Sequence, residues 1–386
     1  MKIRIVGGAA EVPSEAWDAL DPGRSPFLAH AFLKALEDSG SVGGDTGWQP
    51  LFFLAERDGQ VVGAVPAYVK SHSYGEYIFD WAWAEGAQRG GIAYYPKLVV
   101  MPPFTPATGR RVLLADGDGE VRRALMVAVR EAAVQLRFSS VHWLFTTEED
   151  QRALEEAGYL RRISVQYHWE NLGGWADFES FLGAMTSKRR REIRRERRKV
   201  VEQGVDVAML SGEEMGDAHW AGLKRFYLDT GERKWGQPYL TPAFFDRIRA
   251  TYAPAVRFAA ASEGGELLAG ALNFHRPGSD AMYGRYWGCD EQRPQLHFET
   301  CYYAAIDHCL QQGLTLYEAG AQGEHKIARG FLPVPIRSAH WVADPRLARG
   351  VQHFLEGECE HNEAMIAVMR ERKSPFKPPA EADQGA

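Results

Sequence analysis

Two stretches of this 386-residue chain decide its fold: Phe53-Leu-Ala-Glu-Arg-Asp-Gly59-Gln-Val-Val-Gly-Ala-Val65 and Ala259-Ala-Ala-Ser-Glu-Gly-Gly265-Glu-Leu-Leu-Ala-Gly-Ala-Leu272. Each reads as an apolar strand, a tight Asp-Gly or Gly-Gly turn and a second apolar strand. The segments that follow, Glu76-Tyr-Ile-Phe-Asp-Trp81 and Ala281-Met-Tyr-Gly-Arg-Tyr-Trp287, are predicted to be the third strand of an antiparallel meander. Gly59 and Gly265 are 206 residues apart, as are Tyr77 and Tyr283, and Trp81 and Trp287. The repeat points to a duplicated chain, with Tyr77 and Trp81 as core residues. Upstream, Phe27-Leu-Ala-His-Ala-Phe32 and Tyr239-Leu-Thr-Pro-Ala-Phe244 echo each other as short helices.

Each meander precedes a helix, at about 121–136 and 298–312, and then a strand, Val141-His-Trp-Leu-Phe145 and Leu314-Thr-Leu-Tyr-Glu318. Gly313 stops the second helix. A strand that returns beside a meander after a helix makes a mixed sheet with a helix on its face. The predicted fold class is therefore α/β (α+β), with two similar domains, 1–173 and 174–346. The second opens with an Arg-rich helix at about 186–203. Residues 347–372 read as a C-terminal helix and 373–386 as a disordered tail.

The chain has 45% hydrophobic and 25% charged residues and a net charge of -6. That is an ordinary globular profile, and it argues against a general nucleic-acid binder. The four cysteines form no CxxC pair, the histidines show no ligand spacing, and no bound metal is expected. The N-terminus lacks a signal-like apolar stretch, and no run of about 18 apolar residues exists, so a cytoplasmic chain is predicted.

Chemistry concentrates in Glu318-Ala-Gly-Ala-Gln-Gly-Glu-His-Lys-Ile-Ala-Arg-Gly330, which leaves the end of a predicted strand, where α/β sheets place ligands. Chemistry that moves a proton needs a base, and a developing negative charge needs hydrogen-bond donors. Glu318, Glu324 and His325 are candidate bases, and Lys326 completes the candidate catalytic set. Gln322 and Arg329 are candidate substrate contacts, with Lys326 and Arg329 suited to a phosphate or carboxylate; a polar loop with incidental charges is the plain alternative. Lys234, Trp235 and Tyr239 form a candidate substrate-lining loop, or Trp235 simply packs. Asp80 and Lys97 are candidates for holding an acceptor between the domains. The run from Lys188 to Lys199 has nine basic residues in twelve. Lys188, Arg189, Arg190, Arg191, Arg194 and Arg195 offer an anion surface for tRNA, an anionic lipid or a phosphorylated precursor, or else a solvated helix face.

The order of elements resembles the GNAT acyltransferase fold, and its duplication resembles the Fem aminoacyl transferases. The stretches Ser25-Pro-Phe-Leu-Ala-His30, Glu76-Tyr-Ile-Phe-Asp-Trp-Ala-Trp83, Tyr94-Tyr-Pro-Lys97, Pro103-Phe-Thr-Pro106, Lys234-Trp-Gly-Gln-Pro-Tyr239, Gly284-Arg-Tyr-Trp-Gly288, Leu296-His-Phe-Glu299 and Glu318 to Lys326 resemble the FemAB-like family, often labelled peptidoglycan biosynthesis or recognition proteins. The resemblance implies tandem GNAT-like domains. It also implies an N-acyltransferase that moves an acyl or aminoacyl group onto an amine of a cell-envelope precursor. A lipid-directed N-acyltransferase at the inner membrane surface and a non-catalytic recognition module are the alternatives. In GNAT enzymes the turn after the third strand leads into a helix whose first amides hold the cofactor pyrophosphate. This places Arg285, His297 and Glu299 among substrate contacts, with helix capping as the other reading for the last two. Acetyl-CoA users carry a Gly-rich pattern there; this chain has Cys289-Asp-Glu-Gln-Arg-Pro-Gln-Leu-His297. No tightly bound cofactor is expected, and the donor is an acyl thioester or an aminoacyl-tRNA.

Overall fold

The computed structural model describes residues 1–21, 25–115, 117–235, 238–321 and 323–378, and only the backbone of 232–235. The first half contributes β1 (Lys2–Val6), β2 (Trp48–Arg57), β3 (Gln60–Lys70), β4 (Lys97–Val100), β5 (Ser140–Thr146) and β6 (Leu160–Glu170). The second contributes β7 (Val205–Ser211), β8 (Val256–Glu263), β9 (Glu266–Phe274), β10 (Ala281–Cys289), β11 (Leu316–Glu318) and β12 (Leu332–Val342). All belong to one 12-stranded sheet in the order β1-β2-β3-β4-β5-β12-β6-β11-β10-β9-β8-β7. That order is palindromic once the halves are matched strand for strand, and the last strand of each half lies in the other half. β12 pairs antiparallel with β5 and β6, and β6 pairs with β11.

The repeated turns behave as their residues dictate. Asp58 and Gly59 both take positive φ between β2 and β3, and Gly264 and Gly265 do so between β8 and β9. That backbone matches the right-handed twist of the flanking strands. The parallel returns are also present, β4 beside β5 and β10 beside β11. The helices Gly119–Gln135 and Ala304–Gln311 join them, the second entered through a π-helical turn, Glu299–Tyr303.

The third strand of the first half is not where the repeat puts it. Residues 76–80 form a loop and Trp81–Arg89 a helix, while β4 begins at Lys97. The reason is a buried ion cluster. Lys97 donates to Glu76 (2.9 Å), to Ser73 (2.8 Å) and to Asp80, and all four side chains are buried. Turned inward to neutralise this lysine, Glu76 and Asp80 pull their segment out of any ladder; Tyr77 takes positive φ. The matched spacing of Tyr77 with Tyr283 and of Trp81 with Trp287 is therefore not structural equivalence. Trp81 is not a core residue, since it is exposed, whereas Tyr77 is half-buried and packs against the largest apolar cluster.

The largest apolar cluster crosses between the halves. Helices His30–Asp38 and Pro242–Thr251, the two echoing segments, pack through Phe32 and Phe244 (ring centroids 5.7 Å), and Phe27 meets Phe274 (5.4 Å). The C-terminal helix spans Pro345–Arg372 and packs on β6 and β12. Residues 374–378, read from sequence as part of a disordered tail, are fixed: Phe376 bridges Met185 and stacks on Trp175 at 5.3 Å. Apolar contact outweighs the local proline content there. Residues 379–386 lie outside the described residues.

Candidate functional site

A parallel pair that separates part-way leaves a wedge in a sheet. β10 and β11 pair from Ala281–Leu316 to Tyr283–Glu318, after which β10 runs on to Cys289 and the chain after Glu318 folds away. A bulge between Gly284 and Tyr286 re-aims Arg285. A Cβ at Gly284 would lie 2.7 Å from the Tyr317 hydroxyl oxygen, so the wedge wall needs glycine there. In the first half the same wedge is closed. Gly109 bridges Thr146 beyond β4, and the fully buried Arg111 fills the space, donating to the carbonyls of Leu144 and Ala107 (2.7 Å each).

The open wedge continues into a cavity of about 960 Å³ shared by both halves. The first half supplies Tyr74, Tyr77, Phe79, Trp81 and Pro106. The second supplies Tyr227, Tyr239, Arg285, Tyr286, Trp287, His297, Tyr302, His325 and Lys326, among others. No carboxylate is among the described lining residues. Rings dominate the walls; the charged or titratable nitrogen groups are Arg285, Lys326, His297 and His325, beside neutral polar groups such as Asn273, Thr230 and the tyrosine hydroxyls.

Lys326 is the buried cation of this wall. Gly320 and Gly323 take φ of +81° and +113°, which folds the loop back on itself. Lys326 Nζ then donates to the carbonyls of Ala319 and Gly320, each at 2.7 Å. Burial lowers its pKa to about 8. His325 Nε2 lies 2.9 Å from the Tyr302 hydroxyl, and burial followed by the Arg329 and Lys326 charges holds its pKa below the usual value. His297 completes this cluster, with ring centroids 5.3 Å from Tyr302 and 6.4 Å from His325. Arg285 donates to the Phe104 carbonyl, reaching the first-half loop, while Phe104 stacks on Tyr239 at 5.0 Å.

The other sequence candidates sit elsewhere. Glu318 lies behind the cavity wall, accepting the Thr108 amide at 3.1 Å. Its second oxygen has no partner, and burial raises its pKa to about 8. It is buried and is not among the residues that line the cavity. Glu324 is exposed and paired with Lys373 (2.9 Å). Arg329 is held by Glu196 (2.9 Å) over the Phe298 ring, so its charge is already neutralised. Glu299 is buried and takes both Arg197 Nε and Nη2 (3.1 and 3.0 Å), which makes it an anchor for the Arg-rich helix. Lys97 spends its three donors on Ser73, Glu76 and Asp80; burial alone would raise the Asp80 pKa, but Lys97 holds it below the usual range. Lys97 and Asp80 offer no face to an acceptor. Gln322 and the side chains of Lys234 and Trp235 lie outside the described residues. Tyr74, Phe79, Tyr227, Trp287 and Tyr302 escaped sequence reading because scattered aromatics look the same in a core and in a cavity wall.

The buried Glu318 carboxyl gives a stability prediction. Its folded pKa, about 8, exceeds the ordinary 4.5, so folding holds a proton that unfolding releases. Stability falls as pH rises between those values, by about 1.4 kcal/mol per pH unit, and levels above the folded pKa. Glu318→Gln removes this loss. Its melting temperature should gain on wild type steadily from pH 5 to pH 8. A difference independent of pH would show that the carboxyl is ionised in the fold.

One sheet with two acyltransferase-type halves and a single open wedge defines a tandem GNAT-like α/β protein. The chain belongs to the FemAB-like family, described as peptidoglycan biosynthesis/recognition, whose family model matches residues 8–378. Among solved structures, the crystal structure of FemX is similar with a TM-score of 0.56 at 12% identity, covering 91% of this chain and 100% of that one. The C-terminal domain (DUF2156) of a putative lysylphosphatidylglycerol synthetase from Agrobacterium fabrum gives 0.55 at 11%, covering 90% and 96%. L-PGS from Bacillus licheniformis gives 0.52 at 11%, covering 84% and 95%. At these identities the likeness is one of fold. No curated protein sequence matches the chain. Among the described residues there is no group of three metal-ligating side chains, and no helix is long and apolar enough to cross a membrane.

Proposed function

We propose that this protein is an N-acyltransferase that moves an acyl or aminoacyl group from an ester or thioester donor to an amine of a cell-envelope precursor. The observation that carries this reading is Lys326, a cation held by two carbonyls on the wall of a cavity without described carboxylates. With two of its three N–H groups committed, the ammonium has one left to donate. That donor suits the oxyanion that forms when an amine attacks an acyl carbonyl. His325 and His297 are the imidazoles on this wall, and a depressed pKa keeps His325 neutral and ready to take the amine's proton. The carbon–nitrogen bond forms, the acyl carbon–oxygen or carbon–sulfur bond breaks, and the leaving alcohol or thiol takes up the proton. Arg285 and the aromatic walls suit an acceptor bearing a phosphate or carboxylate beside apolar or sugar surface. Family membership supports the envelope setting.

The test is mass spectrometry of envelope precursors and lipids from a strain lacking the gene, complemented by wild type or by Lys326→Ala. The expected result is loss of one N-acylated precursor, restored by wild type alone. Unchanged precursors with a missing N-acylated lipid would move the acceptor to the lipid class. No change in either would remove the acyltransferase reading.

A further inference from the structure

Residues 76–81 keep the two-residue alternation of a strand, although among the described residues no strand pairs with them. Glu76, Ile78 and Asp80 are buried. Tyr77, Phe79 and Trp81, which alternate with them, line the cavity together with Tyr74 just upstream. Tyr74 is 58% exposed, Phe79 43% and Trp81 37%. Their rings touch: Phe79 stacks on Trp81 with centroids 5.9 Å apart, and Tyr74 meets Trp81 edge-on at 5.0 Å.

Three buried cations hold this segment. Lys97, at the start of β4, donates to Ser73, Glu76 and Asp80. Lys70, at the end of β3, donates to the Tyr74 carbonyl at 3.1 Å and lies 3.9 Å from Glu76. Arg162, in β6, donates to the Phe79 carbonyl at 3.0 Å and takes Glu358 of the C-terminal helix at 2.7 and 2.9 Å. Taking ions out of water is costly, and an apolar filling of the same volume is often at least as stable. Such a cluster is therefore a poor way to add stability. What it fixes here is one conformation of a segment that carries four cavity rings and has no ladder to hold it.

We infer that Lys97, with Lys70 and Arg162, is a positioning residue for the cavity, fixing Tyr74, Tyr77, Phe79 and Trp81 as a stacking wall for a ring-bearing anionic ligand. The ring follows from the wall, because exposed aromatic faces gain by stacking on a ligand ring. The anion follows from Arg285 and Lys326 in the same cavity and from the lack of carboxylates among its described lining residues. A segment already held in place has little conformational freedom left to lose on binding, so the anchors raise affinity. The inference takes the cavity as the binding site, as the acyltransferase reading does, but it does not depend on transfer of a group.

The test titrates the full chain with anilinonaphthalene sulfonate, an anion on fused rings whose fluorescence rises in apolar sites. Wild type should bind this probe saturably. Phe79→Ser with Trp81→Ser should weaken binding at least about fivefold. The triple variant E76Q/D80N/K97M removes the charges of the cluster and keeps its volume, so its melting temperature should stay near wild type. Its probe affinity should fall by a similar factor. Chymotrypsin should then cut at Tyr74, Tyr77, Phe79 or Trp81, where the wild type resists. If the triple variant melts early, Arg162→Met carries the test. Glu358 is part-exposed and tolerates the loss of its partner, and freeing the Phe79 carbonyl should weaken probe binding about threefold. No saturable binding by wild type, or unchanged affinity after Phe79→Ser with Trp81→Ser, would overturn the inference. So would anchor variants that keep both probe affinity and protease resistance. A deletion strain that lacks no N-acylated product would sink the transfer reading and leave these outcomes untouched.

Discussion

Residues 1–173 expressed alone should fail to fold cooperatively, although every strand of the first half is present. In the intact chain β12 fills the place between β5 and β6, pairing with both. Without it, β5 ends the sheet as a bare edge, and β6 loses both β12 and β11. Unpaired strand edges are templates for aggregation. The side chains of β6 also lose their cover: Tyr167 and Trp169 pack in a cluster built from Tyr302, Tyr303, Tyr317 and Phe331 of the second half. Exposing large buried side chains costs about 2–3 kcal/mol each, a serious fraction of a domain's whole stability. The expected result is an aggregating or molten 1–173 fragment and a soluble, cooperatively melting complex when 1–173 and 174–386 are co-expressed. A lone 1–173 fragment with a sharp thermal transition would mean that β6 takes the β12 position in its own half. The exchange of strands would then be dispensable.

The second large effect concerns Lys326. Lys326→Ala should lower the rate of acyl transfer by about 10²–10³, the range for removing one oxyanion donor, with substrate affinity less affected. The pH dependence gives the sign. Burial brings the Lys326 pKa down to about 8, so the ammonium is present below that pH and lost above it. If the ammonium is the donor, the wild-type rate rises as His325 loses its proton below the usual imidazole range, is level from there to pH 8 and falls above it, and the upper fall disappears in Lys326→Ala. A rate that rises through pH 8 would instead make neutral Lys326 the base and displace His325 and His297 from that role. Lys326→Arg should recover little, since a planar guanidinium cannot reproduce an ammonium seated on two carbonyls 2.7 Å away.

Much of this molecule is written locally. Asp58-Gly59 and Gly264-Gly265 fix two hairpins because their φ angles leave few alternatives. Apolar periodicity announces the helices that precede β5 and β11. The loop from Glu318 to Gly330 announces itself as a cavity wall because its glycines and its cation fall at the end of a strand. The same local logic misled at Glu76–Trp81, where an aromatic strand pattern lost to the buried charge of Lys97.

What sequence alone determined is therefore the duplicated set of elements, and the loop that carries Lys326. Tertiary structure alone decided the exchange of β6 and β12, since the choice of strand edge depends on which edges remain free after both halves assemble. It also decided which charges act. Glu318, Glu324, Arg329 and Glu299 differ little from Lys326 as letters in a sequence. Partners such as Thr108, Lys373, Glu196 and Arg197, most of them far along the chain, keep those four out of the cavity and leave Lys326, His325, His297 and Arg285 on its walls.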